Sequence, residues 1–377
     1  MSNGSTVGET PPAAGGWREG GPNGRRKWFH GALPGMPLRI AYETWGTLNP
    51  SRSNAVLVLH ALTGDSHAAG PAEPGHPTAG WWDGLIGNGR PLDPSRWFVV
   101  APNVLGGCQG TTGPGTVAPD GRRWGTRFPR ISVRDQVAAE ILLADALGID
   151  SWAAVLGGSM GGMRALEWAI SVPDRVQSML VLAAPAASTA EHIASASAQL
   201  HAIRLDPVRG MGVARRIAHL NYRSEPELEA RFGRQRQTDG RYAVESYLDH
   251  HAEKLIRRFD PESYVVLTEA MNGHDVGAGR GGVRAALSRV TARTVVAGID
   301  SDRLYPLGQQ AEIADGIGVD LRVVESAYGH DGFLIEVEQV GALVTELLAG
   351  AGADADVGAG EVLADARSSP DNARSTL

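Results

Sequence analysis

Cysteine is almost missing from this chain: Cys108 is the single one among 377 residues. One thiol excludes an internal disulfide framework and a cysteine-rich metal cluster. It fits a reducing compartment, so the expected location is cytoplasmic. Long apolar runs are missing too. None approaches the roughly 18–20 residues that cross a bilayer, and the polar, Gly- and Pro-rich start from Met1 to Gly24 has no basic-then-apolar leader pattern. There is no basic excess: Lys+Arg is 35, Asp+Glu is 42 and the net charge is −7. That balance argues against nucleic acid and against an anionic membrane surface as partners. Neither His-Glu-x-x-His nor Cys-x-x-Cys occurs, so no metal is expected. His250 and His251 are adjacent in a helical pattern and therefore face different ways.

Glycine, by contrast, is plentiful at 49 residues. Its most informative use is Val155-Leu-Gly-Gly-Ser-Met-Gly-Gly-Met163, which contains Gly157-x-Ser159-x-Gly161. An apolar run from Trp152 to Leu156 leads in and a helical pattern leads out. This is the strand–turn–helix setting of a nucleophile elbow. The turn pushes Ser159 onto a tight bend and aims the Met160 amide where an oxyanion would form.

The length allows one large α/β domain or two smaller ones. Short β-branched runs read as buried parallel strands: Asn54–His60, Trp97–Pro102, Trp152–Leu156, Ser178–Ala183, Arg293–Gly298 and Leu321–Val324. Helical stretches such as Val133–Leu147 and Gly161–Ser171 fall between them. The alternation predicts an α/β fold with a mostly parallel doubly wound sheet. Residues 188–287 break the rhythm with charged helical segments, Gly212–Leu220, Glu225–Phe232 and Val244–Phe259, and no strong strand. They are expected to form an inserted helical cap over the carboxyl edge of the sheet, where ligands bind. The expected organisation is a disordered tail over 1–26, core over 27–187, cap over 188–287, core again over 288–348 and a flexible tail over 349–377.

A serine nucleophile needs a base, and the base an orienting carboxylate. On such a sheet they follow in the order Ser, Asp, His, each on a loop after a strand. The loop after Thr294–Ala297 offers Asp300 and Asp302, with Asp302 preferred; the loop after Leu321–Val324 offers His330. A second oxyanion donor is expected from the loop His60-Ala-Leu-Thr-Gly64, at the Leu62 amide. The Gly-rich loop Asn103–Pro114 lacks the Gly-Lys-Ser/Thr end of a phosphate loop and reads as a wall near the site. Cys108 within it is an alternative nucleophile, though a lone Cys in such a loop is usually packed and inert.

Leu62-Thr-Gly-Asp65, Asn103–Cys108, Gly157–Met163, Ala165-Leu-Glu-Trp168 and Gly329-His-Asp-Gly-Phe333 together resemble homoserine O-acetyltransferase, an enzyme family of the α/β-hydrolase type. The resemblance covers about Phe29 to Leu348. It implies acetyl-CoA as co-substrate with no permanently bound cofactor and L-homoserine as acceptor. It also implies an acetyl-serine intermediate, the first committed step of methionine synthesis and a homodimer paired through the cap. It implies that Asp331 holds the substrate ammonium and Arg215, with Arg216 as its neighbour and alternative, the substrate carboxylate. A succinyl donor, serine as acceptor, a plain esterase and a non-catalytic relative of the fold are the competing readings.

Overall fold

The computed structural model describes residues 15–349. Eight strands form one sheet: β1 (Lys27–Leu33), β2 (Met36–Trp45), β3 (Ala55–Leu59), β4 (Phe98–Pro102), β5 (Ala154–Gly158), β6 (Ser178–Leu182), β7 (Arg293–Ile299) and β8 (Leu321–Val324), in the order β1-β2-β4-β3-β5-β6-β7-β8. From β4 to β8 every pairing is parallel, and β1 and β2 add an antiparallel edge. The expected parallel strands are present within two residues of their bounds. β1 and β2 were not expected. They lack a continuous apolar run, and β2 buries alternate residues, Met36, Leu38 and Ile40, while Pro37 and Arg39 stay more exposed.

Alternation also divides the central strands. Leu57 and Leu59 of β3 enter one apolar cluster, with Val155, Leu166 and Trp168; Val56 and Val58 enter the other, with Leu156, Leu180 and Phe333. Both faces of the sheet are thus covered, as the apolar runs require. The helices that follow β4 and β5 are α1 (Val133–Ala146) and α2 (Met160–Ser171). Ser132 caps α1 by accepting from the Asp135 amide, while Asp135 reaches back to the Ser132 amide.

After β6 come α3 (Ala190–Leu205), α4 (Pro207–Tyr222), α5 (Glu225–Phe232), α6 (Ala243–Arg258) and α7 (Pro261–Asn272). A third, smaller cluster joins this cap to the core loops, through Ile203, Met211, Leu255 and Phe259 on one side and Leu62, Val104 and Met160 on the other. Next is α8 (Val283–Leu287), whose sequence reads as the end of the cap. Ala286 and Leu287 instead join the main core cluster, as does Val276, so the chain returns to the core before residue 287. The remaining helices are α9 (Leu307–Ile317), α10 (Gly332–Ile335) and α11 (Val337–Leu348).

One tail expectation is corrected. Residues 15–26 are bound to the core: the Trp17 amide donates to the Cys108 carbonyl at 2.9 Å, and the Arg26 guanidinium donates to the Gly75 carbonyl at 2.8 Å and to Gln109 Oε1 at 3.1 Å. Gly and Pro content masked what one backbone amide and one arginine side chain anchor. Residues 1–14 and the expected tail beyond Ala349 lie outside the described residues.

Candidate active site

The bend at Ser159 is dictated by crowding. A Cβ on Gly157 would lie 2.1 Å from the Gly161 carbonyl oxygen, and one on Gly161 would lie 2.0 Å from the Leu59 carbonyl oxygen. Only glycine lets α2 start this close to β3 and β5. Between them Ser159 takes φ 57° and ψ −126°, a conformation that costs a non-glycine residue about 1–3 kcal/mol. Its amide keeps the last ladder bond, to the Leu182 carbonyl at 2.9 Å.

His330 follows β8 and meets this bend. Its Nε2 lies 2.9 Å from Ser159 Oγ and its Nδ1 lies 2.7 Å from Asp302 Oδ2. The second carboxylate oxygen, Oδ1, accepts the amides of Leu304 at 2.8 Å and Tyr305 at 2.9 Å. The carboxylate is therefore fixed on one side and free to accept Nδ1–H on the other, which leaves the Nε2 lone pair facing the serine. All three side chains are buried. Burial alone would lower the imidazole pKa, but the Asp302 charge and hydrogen bond outweigh it, and His330 sits above the ordinary imidazole value. Asp300 faces elsewhere: its Oδ1 accepts the Ser326 amide at 2.9 Å and so joins the two loops.

Ala61, Leu62, Thr63 and Gly64 line the same cavity as Ser159, a space of about 310 Å³ under the cap. Leu62 and Met160 belong to one apolar cluster there. Met160 is the first residue of α2, so its amide is among those with no partner inside the helix. Cys108 is in that cluster too. Its Sγ accepts the Asp260 amide at 3.4 Å, and burial, with Asp260 close by, pushes the thiol far up. That is a packed thiol, not a thiolate nucleophile.

The cap supplies charge. Arg215 and Arg216 are neighbours on α4 and hence about 100° apart around it. Arg216 turns to Asp249 of α6 in an ion pair. Arg215 lines the cavity, with its guanidinium 5.6 Å from the Tyr222 ring centroid and a buried Nε that has no hydrogen-bond partner among the described residues. Asp331, next to His330, also lines the cavity and pairs with Arg223 Nε at 3.3 Å. Burial raises its pKa against the opposing pull of Arg223, His330 and Arg215.

Sequence reading gave no site role to Arg223, His219, Tyr222, Lys254, Arg258 or His251, which it considered only beside His250, and all of them line this cavity. The signal was present as helical spacing. Positions 215, 219 and 222 share one face of α4, with 223 directly after its end, and 251, 254, 255 and 258 share one face of α6.

A second polar cluster stands apart from the residues that line this cavity. Glu43, His67 and His76 are buried with donor atoms within 4.8 Å of one another. The two imidazoles, however, are stacked with centroids 3.9 Å apart and planes inclined by 12°. An ion bound in the plane of one ring would lie outside the plane of the other, so the pair does not fit one metal. Their partners assign them other work. His67 reaches Glu43 through Nδ1 at 2.9 Å and the Pro71 carbonyl through Nε2 at 3.1 Å. His76 Nε2 accepts the Arg25 amide at 3.0 Å. Burial lowers both; Glu43 more than restores His67, while His76 falls to about 3. The cluster thus fastens the N-terminal segment to β2.

A parallel sheet with a serine elbow, a histidine after the last strand and a helical cap inserted after β6 defines an α/β hydrolase, and the family model described as alpha/beta hydrolase fold matches residues 54–337. The chain is 62% identical to homoserine O-acetyltransferase from Thermobifida fusca over 90% of this chain and 97% of that one. Among solved structures it superposes on a homoserine O-acetyltransferase from Bacillus anthracis with TM-score 0.79 and 26% identity, covering 86% of this chain and 97% of that one. It also superposes on an acetylester hydrolase from Corynebacterium glutamicum with TM-score 0.74 and 26% identity, covering 87% and 97%. Within the α/β hydrolases, the chain belongs to the homoserine O-acetyltransferase family. No helix among the described residues is long and apolar enough to cross a membrane.

Proposed function

We propose that Ser159 carries the acetyl group between acetyl-CoA and L-homoserine. Ser159 Oγ attacks the thioester carbonyl while His330 Nε2 takes its proton, Asp302 holds the imidazolium, and the amides of Leu62 and Met160 stabilise the oxyanion. The C–S bond breaks, His330 returns the proton to the departing thiolate, and acetyl-Ser159 remains. The homoserine hydroxyl then gives its proton to His330 and attacks the ester carbonyl. The ester bond to Ser159 breaks and Oγ takes the proton back. One nucleophile serving two half-reactions makes the kinetics ping-pong.

The observation that carries this reading is Arg215, a cation without a carboxylate partner among the described residues, facing the same cavity as Ser159 and Asp331. A zwitterionic amino acid needs one anion and one cation beside the nucleophile; a plain esterase needs neither. Release of CoA thiol from acetyl-CoA, but not from succinyl-CoA, and dependent on L-homoserine, is the supporting result. Thiol release that is indifferent to homoserine points to hydrolysis.

The two arginines give a sharper prediction. Charge-assisted hydrogen bonds contribute roughly 1.5–3 kcal/mol, or about 10–150-fold. Arg215→Leu is expected to slow the homoserine half-reaction by about that factor and to leave acetylation of Ser159 nearly intact. Arg216→Leu, which removes the pair with Asp249, is expected to change either half-reaction by roughly threefold at most. Pre-steady-state acetylation measured beside steady-state turnover separates the two.

The acid limb of the rate is set by His330, which must be neutral to take a proton. Its pKa lies above the ordinary imidazole value. Acetylation should therefore fall as pH drops through a midpoint higher than that of a free imidazole, and a pH profile of the pre-steady-state burst checks this.

The same reading includes a homodimer and a cytoplasmic enzyme. Of nine exposed large hydrophobic residues among the described residues, five lie on α3 and α4: Ile193, Leu205, Val208, Val213 and Leu220. That concentration supports pairing through the cap.

A further inference from the structure

His60 directly follows β3, lies outside the Ser–His–Asp constellation and is 1% exposed. Its ring is held at both nitrogens. The Val104 amide donates to Nε2 at 3.0 Å, so Nε2 carries the lone pair and Nδ1 the proton. Nδ1–H then donates to the Ala61 carbonyl at 2.8 Å. The Gly64 amide donates to the same carbonyl at 2.9 Å. His60's own carbonyl is gripped by the nucleophile helix, through Arg164 Nη2 at 2.6 Å, and Arg164 is fixed in turn by Glu140 at 2.5 Å.

These contacts converge on one peptide group. The Ala61–Leu62 unit is planar and trans, so its C=O and N–H point in opposite directions. Two donors that fix the Ala61 oxygen therefore fix the direction of the Leu62 N–H. We propose that His60 is a positioning residue, which aims the Leu62 amide at the acyl oxygen by clamping the Ala61 carbonyl from behind and ties that aim to the nucleophile helix through Arg164. The residue at position 64 belongs to the same device. A Cβ there would lie 2.8 Å from His60 Cβ and 3.2 Å from Nδ1, so glycine lets the ring reach the carbonyl. Burial and the nearby Arg164 charge hold the imidazole pKa down at about 3, so the clamp stays in one protonation state over the working range. Its role differs from that of His330: it gives up no proton and touches no substrate.

This inference rests on the assignment of Ser159 as nucleophile, and one set of measurements separates the two. The full-length chain is acetylated with p-nitrophenyl acetate, the burst rate is recorded, and phenylboronic acid is titrated as a mimic of the tetrahedral anion. Loss of one oxyanion donor typically costs about 10²–10³ in rate; a misaimed donor is expected to cost part of that, roughly 10–100-fold. His60→Asn places an amide N–H near the Nδ1 position and should keep most of the rate. His60→Gln places its amide near Nε2, loses the Ala61 contact, and should lose roughly 10–100-fold in burst rate and a similar factor in boronate affinity. Gly64→Ala, which wedges the ring away without altering it, should reproduce the Gln signature and guards against a His60 variant that fails to fold. The inference is overturned if Gln matches the wild type, if Asn and Gln fall equally, or if rates fall while boronate affinity holds. A burst that survives in Ser159→Ala refutes the underlying assignment instead.

Discussion

Ser159→Ala is expected to abolish the acetyl-enzyme and to lower turnover by on the order of 10⁴–10⁶. The fold should be unaffected, because alanine keeps the Cβ and asks of the backbone only what serine already accepts, φ 57° at a bend enforced by Gly157 and Gly161. His330 and Asp302 keep their mutual bond at 2.7 Å, so the base is still present with nothing to activate. Intact-mass measurement after incubation with acetyl-CoA alone should show one added acetyl group on the wild type and none on the variant. An acetylated variant would move the nucleophile elsewhere. Cys108 is disfavoured for that role, since its Sγ accepts the Asp260 amide and burial keeps its proton on.

The chemistry of this site was more legible in the sequence than its surroundings. Ser159 and His330 stand out because a parallel sheet places its loops at one edge, so motif and chain order together specify who meets whom. The strands β3 to β7 are legible because burial on both faces demands nearly unbroken apolar runs, and the edge strand β8, with Arg322 and Val323 exposed, is legible only from its short β-branched run. The strands β1 and β2 are not, since a one-sided edge strand buries alternate residues, and β2 also carries Glu43 and Arg39 for contacts outside the sheet. The cap's pocket-facing residues are legible only once helix phase is applied. Arg215 and Arg216 are equivalent in composition, and only the 100° step between them sends one to Asp249 and the other to the cavity. The pairing of Asp331 with Arg223 joins a core loop to the end of α4, a long-range contact that no local pattern announces. The clasp between the N-terminal segment and β2 is hidden for the same reason. Arg25 and Arg26 look like tail residues until His76, Gly75 and Gln109 are brought to them.

Asp302→Asn should cost nearly as much as loss of the serine, and the reason lies in the other side of the carboxylate. Oδ1 accepts the amides of Leu304 and Tyr305. An asparagine must keep its carbonyl oxygen there, since an NH₂ group cannot accept two N–H donors. Its NH₂ is then turned toward His330 Nδ1, where it can only donate. The imidazole is driven into the opposite tautomer, with the proton on Nε2 facing Ser159 Oγ, and ceases to be a base. In serine-protease triads the equivalent exchange lowers kcat about 10⁴-fold, and a loss of that order is expected here. The acid limb should also move to lower pH, because the Asp302 charge and hydrogen bond are what lift His330 above the ordinary imidazole value. Asp300→Asn is the matched control. Its Oδ1 can still accept the Ser326 amide, it has no contact with His330 among the described residues, and its burst rate should stay within about threefold of the wild type. Burst kinetics of both variants across pH decide the matter. Equal losses at the two positions would mean that the loop as a whole, and not the Asp302 carboxylate, orients the base.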